Sequence, residues 1–432
     1  DGRPKSGMYV CKRVFQGLDA DWKDSTKGLI HLINRYSVMN ANELIPHLII
    51  KKDGNIILDK EMKRIDLPAG KDSVIDVSAY LPEIDENSEY FLELHFQLTE
   101  NKAWADKGFD LDDIQFPLNH PKHLLNKSNG GNISLSETDS AYLVKGKNFS
   151  MSFYKKNGAL SSYIMNAKQQ IFQPLLPHFT RPLTDNDRRG WKPQIKLKQW
   201  YEATPSLMNL KAEQTNNHLI KITSKYNFIK DSAEVKIVYT IDGNGVIKVD
   251  YALTANDSLP NIPKVGMQCG INNNDTTIQW YGRGLYENYV DKNYGFGVGI
   301  YSLPISRFDE PYVVPQENGN RTDVRWMYLQ NWQNKTGLLI VADSLLSMSA
   351  WPYTESNINR AKHTIDLKNP GFVTLNIDLK QMGVGGNDSW SNVGAPLKKY
   401  QIPAKNYSYT FYIISYNDSK LAPGKMAKKV PF

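Results

Sequence analysis

Short apolar or alternating runs recur along this chain, at 29–36, 44–51, 73–77, 90–98, 219–224, 234–241, 245–253, 337–342, 372–379 and 407–415. Each is closed by Gly, Pro, Asn or Asp. Alternation with period two is the mark of a strand buried on one face, because successive side chains point to opposite sides of a sheet. Asp53-Gly54, Asn157-Gly158 and Asp242-Gly243 with Asn244-Gly245 supply residues that tolerate the backbone of tight hairpins. Only 196–203 carries a helical pattern, which excludes a Rossmann or (β/α)₈ architecture for this chain.

These signals divide the chain. Residues 1–118 read as a small β-sandwich, with strands of about five to eight residues at roughly 10–15-residue spacing. A polar, turn-rich linker follows at 119–131, then a much larger all-β unit at 132–417, and a basic, loosely held tail at 418–432. A length of 432 residues suits two or three domains, and 41% hydrophobic with 11% aromatic residues suffices for true cores.

Charge and cysteine narrow the partners. The net charge of +7 (52 − 45) is spread thinly, with no run of five Lys or Arg, so a nucleic-acid partner is not expected. No stretch of 18 apolar residues is present, and no membrane partner is expected. Cys11 and Cys269, the only cysteines, have neither metal spacing nor a disulfide framework and read as buried thiols. The chain opens at Asp1-Gly2-Arg3-Pro4, without initiator Met or signal peptide, and is expected to be a fragment or processed chain. It is expected to be soluble, its compartment open between bacterial periplasm and cytoplasm.

The densest chemistry lies in MGVGGNDSWS (382–391). Three glycines allow positive φ or close backbone approach, and Asn387, Asp388 and Ser389 can fold back on their own backbone. Two readings follow: a turn with a half-buried Trp390, or a loop presenting an indole face to a sugar ring. In FTRPLTDND (179–187), Asp185 and Asp187 are either acid/base groups or loop-fixing residues with Arg181 as internal partner. Catalytic carboxylates of a glycosidase must stand apart across a bond, which favours the loop role. GRGLYENYVD (282–291) and PYVVPQENGNR (311–321) either line a sugar site or staple loops through buried Glu–Asn–backbone bonds; stapling is the better expectation. The eight histidines show no metal spacing, and neither GxSxG nor a phosphate-binding glycine loop is present. The glycine-rich 295–299 segment reads as a strand or bend.

In the order FTRPLTDND, GRGLYENYVD, PYVVPQENGNR, MGVGGNDSWS, these motifs resemble the C-terminal half of a glycoside hydrolase family 2 β-galactosidase, and the resemblance runs from 1 to about 416. It implies an all-β chain: an Ig-like sandwich followed by a large galactose-mutarotase-like super-sandwich. It also implies a parent β-galactosidase whose catalytic glutamates lie in a barrel that this chain lacks. No catalytic residue is therefore expected here. Asn42-Glu43 resembles the family's acid/base signature but precedes a strand of the small sandwich. The resemblance assigns substrate binding to Trp390, Asp388, Asn387, Gly386 and Gly385. It implies a β-galactoside or oligosaccharide and the missing barrel domains as partners. No metal site and no cofactor are expected in this fragment, a divalent or monovalent cation belonging to the parent enzyme. The sequence departs from the family in the short, basic stretch 188–194. A free-standing carbohydrate-binding module is the alternative function. An aldose epimerase would need a His/Glu pair that the sequence does not place, and an assembly surface would need an interface stripe that it does not show.

Overall fold

In the computed structural model of the chain, residues 2–121, 130–274, 276–417 and 421–431 are described. Strand Leu219–Phe228 shows how the pattern works: Ile220, Ile222, Ser224, Tyr226 and Phe228 turn inward while their neighbours face out. Ser224, the polar exception, donates from Oγ to the Gly158 carbonyl at 2.5 Å and so enters the core satisfied. The chain is all-β, as the sequence predicts. The predicted helix at 196–203 is two single turns, Pro193–Lys196 and Lys198–Tyr201, interrupted at Leu197.

The chain divides into two compact units, one of Asp1–Leu124 with Tyr294–Ile300, the other of Leu125–Asn293 with Tyr301–Phe432. Most of the expected linker, including His123, and residues 418–420 and 432 of the expected tail lie outside the described residues. Within the tail, Pro423–Ala427 forms a helical turn, and Pro423 and Val430 are buried.

In the first unit, strands Leu18–Asp24, Leu29–Asn34 and Asp72–Asp76 form one antiparallel sheet. Asn55–Glu61, Leu44–Lys52, Tyr90–Leu98 and Asp110–Pro117 form the second. Their inward residues, among them Ile30, Leu32, Leu48, Leu92, Leu94 and Ile114, share one core, giving an Ig-like sandwich. Asp112 ties the sheets together: its carboxylate accepts from Gly17 N (3.2 Å), Leu18 N (3.1 Å) and Tyr36 Oη (2.8 Å). The helix Ser6–Phe15 was not legible in the sequence, because its apolar Met8, Val14 and Phe15 stay exposed. That helix also leaves Cys11 exposed, correcting the expectation of two buried thiols; Cys269 is buried. Asn42-Glu43 belongs to a capped 3₁₀ turn, in which Glu43 Oε1 accepts from Asn40 N at 3.0 Å.

The second unit is one large sheet. Most of its strands run side by side in the order Ser206–Asn216, Leu219–Phe228, Ala233–Asp242, Ile247–Ala255, Tyr407–Asn417, Thr336–Trp351, Phe372–Gln381, Lys264–Asn272, Lys168–His178, Leu160–Met165, Phe149–Tyr154, Ala141–Lys145 and Ser134–Glu137, while Arg321–Asn331 joins off this path, pairing with both Thr336–Trp351 and Thr277–Arg283. The two ends of this order meet. Gln214 donates to the Ile133 carbonyl (3.1 Å) and accepts from Leu135 N (3.2 Å), while Ile133 N donates to Asn217 O (3.0 Å). The sheet thus folds over onto itself as a sandwich, with rings such as Phe153 and Tyr239 meeting at 5.0 Å across its core. Thr336–Trp351 extends far past the predicted 337–342, because the exposed dip at 343–345 hides the change of partner. Its first half pairs with Tyr407–Asn417 and its second with Phe372–Gln381.

Candidate functional site

The first and fourth motifs meet at Arg181, whose side chain is completely buried. Its Nη2 lies 3.2 Å from Asp187 Oδ2 and donates to the Gly383 carbonyl at 3.2 Å, joining FTRPLTDND to MGVGGNDSWS. Burial works against its charge, yet Asp187 holds its pKa above the ordinary value. Asp187 also accepts from Trp191 Nε1 (2.8 Å) and Thr184 N (2.9 Å), and its own N–H donates to Thr184 Oγ1 (3.1 Å). With every lone pair committed, Asp187 fixes the loop as expected. Asp185 does the same through its backbone, donating to Gln316 Oε1 at 3.0 Å, while Arg188 Nη2 donates to the Pro315 carbonyl at 2.9 Å.

The second and third motifs staple each other. Buried Glu287 accepts from Lys292 Nζ (2.8 Å), Tyr312 Oη (2.5 Å) and Gly319 N (2.9 Å). Asn288 Oδ1 accepts from Thr322 N (2.8 Å) and Oγ1 (2.6 Å), and Asn320 Nδ2 donates to the Asn288 carbonyl at 2.8 Å. These are the Glu–Asn–backbone bonds that the sequence suggests. Tyr289 Oη donates to Glu317 Oε1 at 3.1 Å, and burial pushes that carboxyl up to about 8 against the pull of Arg181. Arg321 spans the rings of Phe308 (4.2 Å) and Trp280 (5.0 Å) and donates to the Leu285 and Phe308 carbonyls.

On this base stands the fourth motif. Asp291 Oδ2 accepts from Gly385 N at 2.8 Å, a link between motifs that no spacing reveals. None of Gly383, Gly385 and Gly386 takes positive φ; close approach is what requires glycine at 383 and 386. A Cβ on Gly383 would sit 2.5 Å from Asp291 Oδ2, and one on Gly386 2.4 Å from the Gly394 backbone. Asn387 N donates to the Val393 carbonyl at 2.8 Å. Asp388 closes the tip: Oδ1 accepts from Trp390 N (3.2 Å) and Ser391 N (3.0 Å), and Oδ2 from Ser391 Oγ (2.6 Å). These bonds, that from Ser391 first, hold its pKa below the ordinary value. Trp390 itself is 76% exposed. The basic segment 188–196 braces the loop: a Cβ on Gly190 would lie 3.0 Å from Ser391 O, and Lys196 Nζ donates to Asn392 Oδ1 at 2.7 Å.

Buried charges inside strands had no signal in the sequence. Lys264 Nζ lies 3.5 Å from Asp378 Oδ2 and donates to Asn376 Oδ1 at 2.8 Å, and burial pushes Asp378 up to about 7. A His/Glu pair does exist, His178 Nε2 to Glu355 Oε2 at 3.2 Å, with burial holding His178 below its ordinary pKa. No cluster of three or more His, Cys, Asp or Glu suited to a metal occurs among the described residues. No helix among them is long and apolar enough to cross a membrane.

Residues 145–413 match the family model described as the beta galactosidase small chain, and residues 30–119 match the model for beta-galactosidase domain 4. The β-galactosidase of Priestia megaterium is 28% identical over 423 residues, covering 95% of this chain and 39% of that protein. That of Pseudoalteromonas haloplanktis is 28% identical over 348 residues, covering 76% of this chain and 32% of that protein. The chain therefore spans well under half the length of these relatives. Among solved structures, a galactose 1-epimerase from Lactobacillus acidophilus NCFM aligns with a TM-score of 0.36 at 8% identity, over 66% of this chain and 98% of that one.

Proposed function

The chain belongs to the β-galactosidase small-chain family, and on that premise we propose that it is the C-terminal, non-catalytic part of a retaining β-galactosidase, bringing Trp390 to the rim of an active site completed by a barrel elsewhere in the protein. The observation that carries this reading is an exposed indole on a loop pinned at both ends. An indole that serves packing is buried; this one is held out to solvent at the cost of its own hydration, while Asp388, Asp291 and the Gly386–Gly394 contact immobilise its backbone. A rigid aromatic plane stacks on the C–H-rich face of galactose with little ordering cost, for a gain of about 1 kcal/mol. Gly385 and Gly386 shape the loop, Asn387 and Asp388 fix it, and Trp390 touches sugar.

Retaining hydrolysis needs two carboxyl groups about 5–5.5 Å apart flanking the scissile bond. Asp187, Glu287 and Glu317 are buried and committed to internal partners, which supports a supporting rather than a chemical role for this chain.

Hydrolysis of o-nitrophenyl galactoside tests both parts. The chain alone should give background rates. In the full-length protein that carries it, Trp390→Ala should raise KM about fivefold with the melting temperature unchanged, as expected for an exposed side chain worth about 1 kcal/mol to bound sugar. Turnover by the chain alone, or an unchanged KM, refutes the reading. Galactose affinity of the isolated chain separates the alternatives, since a free-standing binding module would bind tightly through Trp390 without the barrel.

A further inference from the structure

We propose that the large unit holds a second carbohydrate-binding cavity, built on the loop 309–318 and the segment around Tyr353, with residues different from those of the Trp390 rim. The cavity measures about 510 Å³ and opens to solvent, within the range of small-ligand sites. Its walls are flat and apolar: Tyr312 and Tyr353, with Pro311, Pro315 and Pro352. The walls are also rigid. Tyr312 Oη is committed to Glu287 at 2.5 Å, and the Tyr353 carbonyl accepts from Thr374 Oγ1 at 2.7 Å. Such plates suit the C–H face of a pyranose.

Among the polar lining groups is a buried acceptor. Asn318, which lines the cavity, is more than nine-tenths buried. Its Nδ2 donates to the Gln316 carbonyl at 2.8 Å, and its backbone carbonyl accepts from Trp351 Nε1 at 2.9 Å. Its Oδ1 has no hydrogen-bond partner in the protein. A buried acceptor left so is costly unless a ligand donor completes it. The acidic residues Asp309 and Glu310 line the same cavity. Acceptors facing proline and tyrosine plates ask for a ligand with several O–H donors and apolar C–H faces, which describes a sugar ring. A divalent cation is disfavoured, since no suitable cluster of three or more His, Cys, Asp or Glu is found among the described residues.

Saturation-transfer NMR on the whole 432-residue chain with free galactose tests this, and the variants separate it from the Trp390 reading. Thr364→Arg places a long side chain at an exposed lining position without entering the core, and Tyr353→Ala removes one wall. Both should cut the transfer about tenfold, while Trp390→Ala leaves at least part of it in place. Equal signals in wild type and Thr364→Arg overturn the proposal. So does a signal abolished by Trp390→Ala alone, which would put all binding at the rim, and so does displacement of galactose by choline, which would mark a site for organic cations.

Discussion

Arg181→Met would break the junction between the first motif and the fourth. The substitution keeps the length and apolar stem of the side chain but removes the ion pair to Asp187 and the bond to Gly383, both at 3.2 Å. Asp187, almost wholly buried, would keep only its donors from Thr184 and Trp191. Leaving one member of a buried pair without its partner costs about 3–5 kcal/mol, and the stranded Gly383 carbonyl pushes the loss toward the upper end. At about 2 °C per kcal/mol for a unit of this size, the melting transition should fall by roughly 6–10 °C. Differential scanning calorimetry of the chain reads this directly. Arg181→Met combined with Asp187→Leu should recover part of the loss, because no charge is then left buried. A drop below about 2 °C, or a double variant as unstable as the summed singles, would show that the junction is not held this way.

The first unit carries a pH signature. Burial alone would lower the His95 pKa, but Asp110 at 3.0 Å and Glu93 at 3.3 Å outweigh it and hold the imidazole at about 9. A folded value above the ordinary 6.5 means that this stabilisation is complete below about pH 6.5 and disappears as pH rises through about 9. An NMR titration of His95 with a midpoint near 6.5 would contradict it. Gly386→Ala should destabilise by about 1–3 kcal/mol, since its Cβ meets the Gly394 backbone at 2.4 Å. Gly7→Ala, in the helix Ser6–Phe15 with nothing within 4 Å, should instead stabilise by about 0.5–1 kcal/mol; urea melts of both distinguish the two signs. Under native conditions a thiol reagent should titrate one cysteine quickly, the exposed Cys11. Burial pushes Cys269 up to about 12, and its fast reaction would contradict that.

Strands were legible where alternation was clean. Leu44–Lys52 and the start of Leu219–Phe228 fall where the pattern puts them, because one covered face writes period two into the sequence. Arg321–Asn331 was not, because both its faces are largely covered and alternation is lost. Helix Ser6–Phe15 escaped because Met8, Val14 and Phe15 face solvent and only Tyr9 and Val10 among its apolar residues are partly covered. The site divides likewise. Each motif announced itself by composition, and Arg181 with Asp187 could be paired because they are neighbours in sequence. The bond from Gly385 to Asp291 spans 94 positions and leaves no local trace. Of the two uses the sequence offers for the glycines of 382–391, positive φ is not taken, while close approach holds at Gly383 and Gly386, crowded by Asp291 and Gly394.

The clasp at Gln214 bears on behaviour at high concentration. Open sheets end in rows of free N–H and C=O groups that recruit strands from other molecules. Here the outermost strands answer each other through one amide that both donates and accepts. Gln214→Ala should leave the core intact yet free those margins, making intermolecular β-pairing, and with it turbidity on storage, the first fault to emerge.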